Sequence, residues 1–479
     1  MIKLIEGPLL SHVPFDDVYN CESDDDKASS GEPSAAHGAE VDCRPRVLSL
    51  ADTARLMHRE AGTVMDEDQY ILYESICAQF LLSVLNDGLN ALGGELGHRS
   101  TISEALQLDV GDINRLKDRL RQLGAKTIQL GASSRDQLIA FVTGMAGAGK
   151  STGLMVAQRF CFEFYKAASI AWGDNTFLFT AYTGAAASAF DGITTLKGLL
   201  VKVKDRNIKD SDRDRFKQVR IIIIDEISFM KDSELTETDR RLKDLGDRDA
   251  VFGGFNVIFC GDFRQLPPVG AKSDQLLYHP LSSRLLESNL NCVIILKGMH
   301  RFKDDIRYGE LLRRLMRDEL TDADFRLLNT RVIGRNGLKV PDQFDGDGCY
   351  AASRNKTRSG ISAALVDKHL QNNHPDFDDN SDASPPKHTL ILKADVNPSS
   401  KSTVSASSLA SLRKRIVELG ESDVRVSGEP KLVPPTLVIH PTARFMCTSN
   451  DNLEEHGTGN GTQVGARCST CFPESPLTR

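Results

Sequence analysis

Residues 144–152, GMAGAGKST, place glycines at Gly144, Gly147 and Gly149 before Lys150, Ser151 and Thr152. The stretch fits G-x-x-x-x-G-K-[ST] at every position, with an apolar run, LIAFV, immediately before it. Glycines let successive backbone N–H groups turn inward and form a nest for phosphate oxygens. A helix starting at the end of the loop adds its partial positive charge. Lys150 would then reach the β- and γ-phosphates of a nucleoside triphosphate, and the Ser151 hydroxyl would bind Mg²⁺.

Two further constellations suit the same chemistry. Ile221-Ile-Ile-Ile-Asp225-Glu226 is an apolar strand ending in two carboxylates, and parallel sheets bind ligands beyond the carboxyl ends of their strands. Asp225 is placed to hold Mg²⁺, and Glu226 to polarise an attacking water. The third is Gly261-Asp262-Phe263-Arg264-Gln265-Leu-Pro-Pro-Val, again after an apolar run. Asp262 and Gln265 are expected at the rim of the phosphate site, where the Gln265 amide could touch the γ-phosphate.

These residues need a scaffold. LIAFV, FLFTA, RIIIIDE and FNVIFCGD alternate with loops and helical stretches from Gln137 to about Val269. That is the signature of an α/β fold, a parallel sheet flanked by helices. The resemblance these motifs bear to a helicase family implies that the sheet is RecA-like, with a second, incomplete RecA-like domain after it. The expected layout is an acidic disordered segment over 1–47, a helical region with a charged insertion over 48–134, and a first ATPase domain over 135–275. The start of a second RecA-like domain follows over 276–370, and an inserted small β-rich subdomain with an atypical tail over 371–479.

Composition narrows the class. The 479 residues carry a formal net charge of −7, so any nucleic-acid contact must come from a local groove rather than a polybasic surface. The ten cysteines show no framework of short spacings and read as reduced thiols. The pair Cys468 and Cys471 lacks a second pair. The N-terminus carries no clear targeting signal, and no apolar run approaches the length of a membrane span.

Together, GMAGAGKST, FTAYTGAAA, IIIIDEISFM and GDFRQLPPV occur in an order and spacing that resemble the Pif-one (petite integration frequency) family of DNA helicases. This is the RecD-like branch of helicase superfamily 1, with Helitron helicases as close relatives. DGITTLKGLL, LKGMHRF, LLNTRVI, SRNKTRSGISA and ARFMCTSN with GTGNGTQVG add to the resemblance.

The resemblance implies an ATP-dependent helicase moving 5′ to 3′ on single-stranded DNA, of the kind that serves DNA repair, recombination and telomere maintenance. It implies ATP and Mg²⁺ as cofactors, a monomer, and a nuclear or organellar location. Gln265 resembles the γ-phosphate sensor. Arg301 resembles the arginine that the second RecA-like domain points at the γ-phosphate, and Gln69 the glutamine that reads adenine, with Gln137 its rival. Thr183 and Gly184 lie in the motif that touches the single strand. The chain departs from the family at Thr195-Leu196-Lys197, where a His is usual, and after GTGNGTQVG, where a Gln-Gly segment and a second arginine are missing. The expectation from that ending is slow ATP hydrolysis and no duplex unwinding by residues 1–479 alone.

Overall fold

The computed structural model describes residues 15–19, 49–91, 137–167, 171–173, 175–201 and 208–332, with short stretches elsewhere, among them 390–393, 436–439, 444–446 and 463–465. Six strands form one sheet: β1 (Ile139–Gly144), β2 (Phe177–Ala181), β3 (Ile193–Thr194), β4 (Ile221–Asp225), β5 (Asn256–Cys260) and β6 (Cys292–Leu296). Their order is β3-β2-β4-β5-β1-β6, and every pairing is parallel.

The apolar runs split by alternation. Ala140, Val142, Phe177, Phe179, Ile221, Ile223 and Ile258 face one core, while Ile139, Leu178, Ile222, Ile224, Val257 and Phe259 face the other. Both faces are covered, so the strands are apolar throughout, as parallel sheets require. The four isoleucines of β4 are wholly buried. Their branched Cβ atoms favour the pleated backbone.

The helices are α1 (Leu50–Ala61), α2 (Glu67–Ala91), α3 (Lys150–Ala167), α4 (Gly184–Ser188), α5 (Thr195–Gly198), α6 (Asp210–Lys217), α7 (Asp232–Leu245), α8 (Leu285–Asn289), α9 (Ile306–Leu315) and α10 (Asp322–Asn329). Helix α2 is apolar on most of its surface and lies in the first core with α3. At the amino ends of the strands, the buried Asn256 accepts from Leu138 N and Gln79 Nε2 and donates to Arg220 O. Asn291 makes a similar clasp with Ile139 N and Gln137 O. These amides satisfy backbone groups that strand pairing leaves open.

The chain divides into two units, Met1–Leu320 with Ser449–Asn460, and Thr321–Thr448 with Gly461–Arg479. The second contains α10 and two antiparallel pairs, β7 (Leu390–Lys393) with β8 (Thr436–Ile439) and β9 (Arg444–Met446) with β10 (Gln463–Gly465).

Two expectations change. A second domain was placed from 276, yet Cys292–Leu296 pairs with β1 in the first sheet. A short apolar run reads the same whichever sheet it joins. The segment 1–47 was read as disordered, yet Phe15–Tyr19 packs on the helices: Val18 is wholly buried, Arg55 Nε donates to Val18 O at 2.7 Å, and Met65 N donates to the Tyr19 hydroxyl at 3.0 Å. Three apolar side chains in an acidic stretch suffice to anchor it. Helix α2 runs to Ala91. Apart from Asp118, residues 92–134 lie outside those described.

Candidate active site: a phosphate loop under a histidine-arginine turn

The loop leaves β1 at Gly144 and enters α3 at Lys150. Gly147 and Gly149 have φ of +83° and +86°, the left-handed region that glycine enters without strain. Both are also crowded. A Cβ on Gly147 would collide with Arg301 Cβ, and one on Gly149 with the Gln69 amide. Lys150 Nζ donates to Gly144 O at 3.3 Å, so the ammonium lies along the loop. Ser151 and Thr152 follow in the first turn of α3.

Strand β5 separates the loop's strand from β4, which brings three motifs to one edge of the sheet. Asp225 ends β4, and its Oδ1 accepts from Glu226 N at 2.9 Å. Glu226 has φ +57° and ψ +40°, a conformation that costs a non-glycine residue about 1–2 kcal/mol. It turns the chain sharply off the strand. Burial pushes the Asp225 carboxyl above its ordinary range, opposed by the Glu226 N–H and by Lys150. Burial also raises Glu226, and the neighbouring negative charges of Asp225 and Asp262 add to it, with Lys150 opposing. Asp225 and Glu226 share the one ammonium of Lys150, and Asp262 adds a third negative charge beside Glu226. Asp225 and Ser151 are the residues that could hold a divalent cation there.

Asp262 is buried after β5 and accepts from Arg264 N at 3.1 Å and Arg264 Nε at 3.0 Å. Gln265 stands exposed in the same turn, its N–H donating to Asp262 O. Thr183 caps α4, accepting from Ala186 N, and Gly184 is buried behind it. They follow β2, whose Ala181 pairs with Asp225 and whose next residue, Tyr182, donates its N–H to Asp225 O at 3.1 Å.

Gln69 is almost wholly buried at the third position of α2. Its Oε1 accepts from Asp66 N and its N–H donates to Asp66 Oδ1, both at 2.8 Å, a reciprocal helix cap. Its Nε2 donates to Gly149 O at 3.0 Å. The side chain expected to read adenine thus bonds both the phosphate loop and its own helix start. The rival Gln137 bonds Val251 O and Phe255 O before the amino end of β1, at the opposite edge of the sheet. Arg301 follows β6 in the unit that holds the loop, not in a second domain, and its N–H donates to Gly147 O at 3.4 Å.

The chain-wide reading missed Asp66 and His300. Asp66 had a signal, the D-x-x-Q spacing of a helix cap; His300 lies in LKGMHRF, where nothing marked the histidine itself. Asp66 Oδ2 lies 2.9 Å from His300 Nε2.

Residues 121–308 match the PIF1-like helicase family. This segment is similar to that family. The PIF1-like segment holds the loop, the Asp225–Glu226 pair, Gln265 and Arg301, while Asp66 and Gln69 precede it. Over 201 residues the chain is 29% identical to the ATP-dependent DNA helicase PIF1 of Saccharomyces cerevisiae (strain YJM789), covering 40% of this chain and 23% of that protein. Over 206 residues it is 32% identical to the ATP-dependent DNA helicase RRM3 of S. cerevisiae (strain ATCC 204508 / S288c), covering 39% and 28%. It is similar to the crystal structure of Pif1 helicase from Candida albicans at 22% identity and TM-score 0.42, covering 68% of this chain and 64% of that one. The chain spans about a quarter of the length of these curated relatives.

Proposed function

We propose that this chain is the ATPase part of an ATP-dependent DNA helicase that moves 5′ to 3′ along single-stranded DNA. One observation carries the reading: phosphate loop, Asp225–Glu226 pair and Gln265 turn leave adjacent regions of one sheet edge, with Arg301 against the loop.

Each residue then has a task. The loop's N–H groups and Lys150 take the phosphates of ATP. Ser151 and Asp225 hold Mg²⁺, which supplies charge neutralisation at the phosphates. Glu226 orients and polarises water, and its raised carboxyl suits a proton acceptor working nearer neutrality. Gln265 and Arg301 answer charge at the γ-phosphate. Thr183 and Gly184 meet the strand's backbone. The Ala181–Asp225 register and the Tyr182–Asp225 bond join the two regions through one stretch of backbone. Binding of this kind is sequence-tolerant, with stacking and backbone contacts. A DNA substrate would place the protein in the nucleus or an organelle. Among the described residues no helix is long and apolar enough to cross a membrane.

The test is Mg·ATP hydrolysis with and without single-stranded DNA, beside strand displacement on a duplex with a 5′ tail. Lys150→Ala should abolish hydrolysis and weaken nucleotide binding. Hydrolysis by Lys150→Ala at the wild-type rate would sink the reading. Hydrolysis without displacement would leave a DNA-stimulated ATPase that does not unwind.

A further inference from the structure

Asp66 has one carboxylate and two separate duties. Oδ1 takes the Gln69 N–H and closes the start of α2. Oδ2 takes His300 Nε2 at 2.9 Å. His300 is the first residue of the three-residue turn His300–Phe302, and Arg301 is the second. Segment 297–302 therefore has two attachments around Arg301: His300 to Asp66, and Arg301 N to Gly147 O. A third bond, Lys297 N to Asp68 Oδ2 at 3.1 Å, holds the segment's entry.

The local backbone is built for this approach. A Cβ on Gly298 would stand 2.5 Å from His300 Nε2 and 2.7 Å from Asp66 Oδ2, closer than real Cβ contacts come. Only glycine leaves room for the pair. Gln69 completes the frame: the residue that closes the Asp66 cap also donates to Gly149 O. Asp66 thus references both sides of the site to one point, the loop through Gln69 and the arginine turn through His300.

We propose that His300 is a positioning residue for nucleotide hydrolysis: its hydrogen bond to Asp66 sets Arg301 over the phosphate loop. The inference rests on the helicase reading above, which makes Arg301 act on the γ-phosphate. A group that stabilises charge developing in the reaction must be held in place beforehand. Loosening it lowers turnover more than nucleotide affinity, which belongs to the loop and Lys150. The Lys297–Asp68 bond keeps the segment attached when His300 is lost, so the effect is moderate.

The experiment is steady-state Mg·ATP hydrolysis with single-stranded DNA, beside nucleotide binding and melting, on the full chain. His300→Ala should lower kcat about fivefold, the worth of one such hydrogen bond, with nucleotide Kd changed less than about twofold. His300→Gln, whose amide can still donate to Asp66, should recover most of the rate. Asp66→Ser keeps the helix cap and the Gln69 bond, because serine caps as aspartate does, yet it removes the oxygen that His300 uses. It should match His300→Ala, and the double variant should lose no more than either single one. Additive losses, or an unchanged kcat in His300→Ala while wild type hydrolyses ATP, would overturn the positioning role alone. Failure of wild type to hydrolyse ATP would overturn the helicase reading, and this inference with it.

Discussion

The backbone N–H of Arg301 donates to the carbonyl of Gly147 across 3.4 Å, joining two residues that the chain separates by five of the sheet's six strands. The contact is possible only because Gly147 has no side chain, since a Cβ there would meet Arg301 Cβ.

Gly147→Ala should therefore act twice. It forces alanine to φ +83° and pushes the turn at 300–302 away from the loop. We expect a loss of about 1–3 kcal/mol in stability, with ATP turnover falling further than the residual folded fraction explains. Urea denaturation and turnover measured on the same preparation check it; a stable, fully active variant would show that the contact is dispensable.

The buried Asp225 carboxylate should make the free protein less stable at neutral pH. Burial raises its carboxyl above the ordinary 3.8, so the folded chain keeps the proton to higher pH than the unfolded chain does. Stability then falls as pH climbs from about 3.8 through the raised value, and stays reduced above it. Asp225→Asn should melt above wild type at pH 7.5, with the gap closing towards pH 3.8. Mg²⁺ should raise the melting temperature of wild type and leave the variant unmoved. Identical melting curves for the two proteins across this range would contradict the electrostatic argument.

Glu226→Gln keeps the shape of the side chain and removes its basicity. Nucleotide binding should persist while hydrolysis falls by about 10²–10⁴-fold. The variant's left-handed backbone is unchanged, so its melting temperature should stay within a few degrees of wild type. Parallel loss of binding and turnover would assign Glu226 to architecture instead.

Single-stranded DNA should bind despite the net charge of −7. Its affinity should fall with salt at a slope of about −0.7 per phosphate neutralised, and Thr183→Ala should weaken it without altering the slope strongly, because a hydroxyl carries no charge. Fluorescence anisotropy across a salt series measures both. Binding that ignores salt would argue against a backbone groove near Thr183.

Much of the site could be read before any coordinates, for a local reason. The phosphate loop, the Asp225–Glu226 pair and the Gln265 turn each follow a buried strand within a few residues, so strand and motif announce each other. What escaped depends on distant partners. Cys292–Leu296 looked like the start of another sheet because its apolar run does not say which strand it pairs with. Gln69 was legible as a glutamine before the loop, yet its partner, Gly149 O, lies 80 residues on. His300 lies in LKGMHRF, yet nothing in that segment marks the histidine itself; its meaning comes from an aspartate 234 residues earlier.

Strand β1 sits between β5 and β6, and the bonds at its entry span 118 residues to Asn256 and 152 to Asn291. Closing loops of that length is slow and comes late. During synthesis the phosphate loop would leave the ribosome with neither neighbour of its own strand yet made. It would acquire a fixed backbone only once residues past 296 had emerged. The newborn chain would thus have no grip on nucleotide until β6 has emerged, and the turn carrying Arg301 is the next segment to appear.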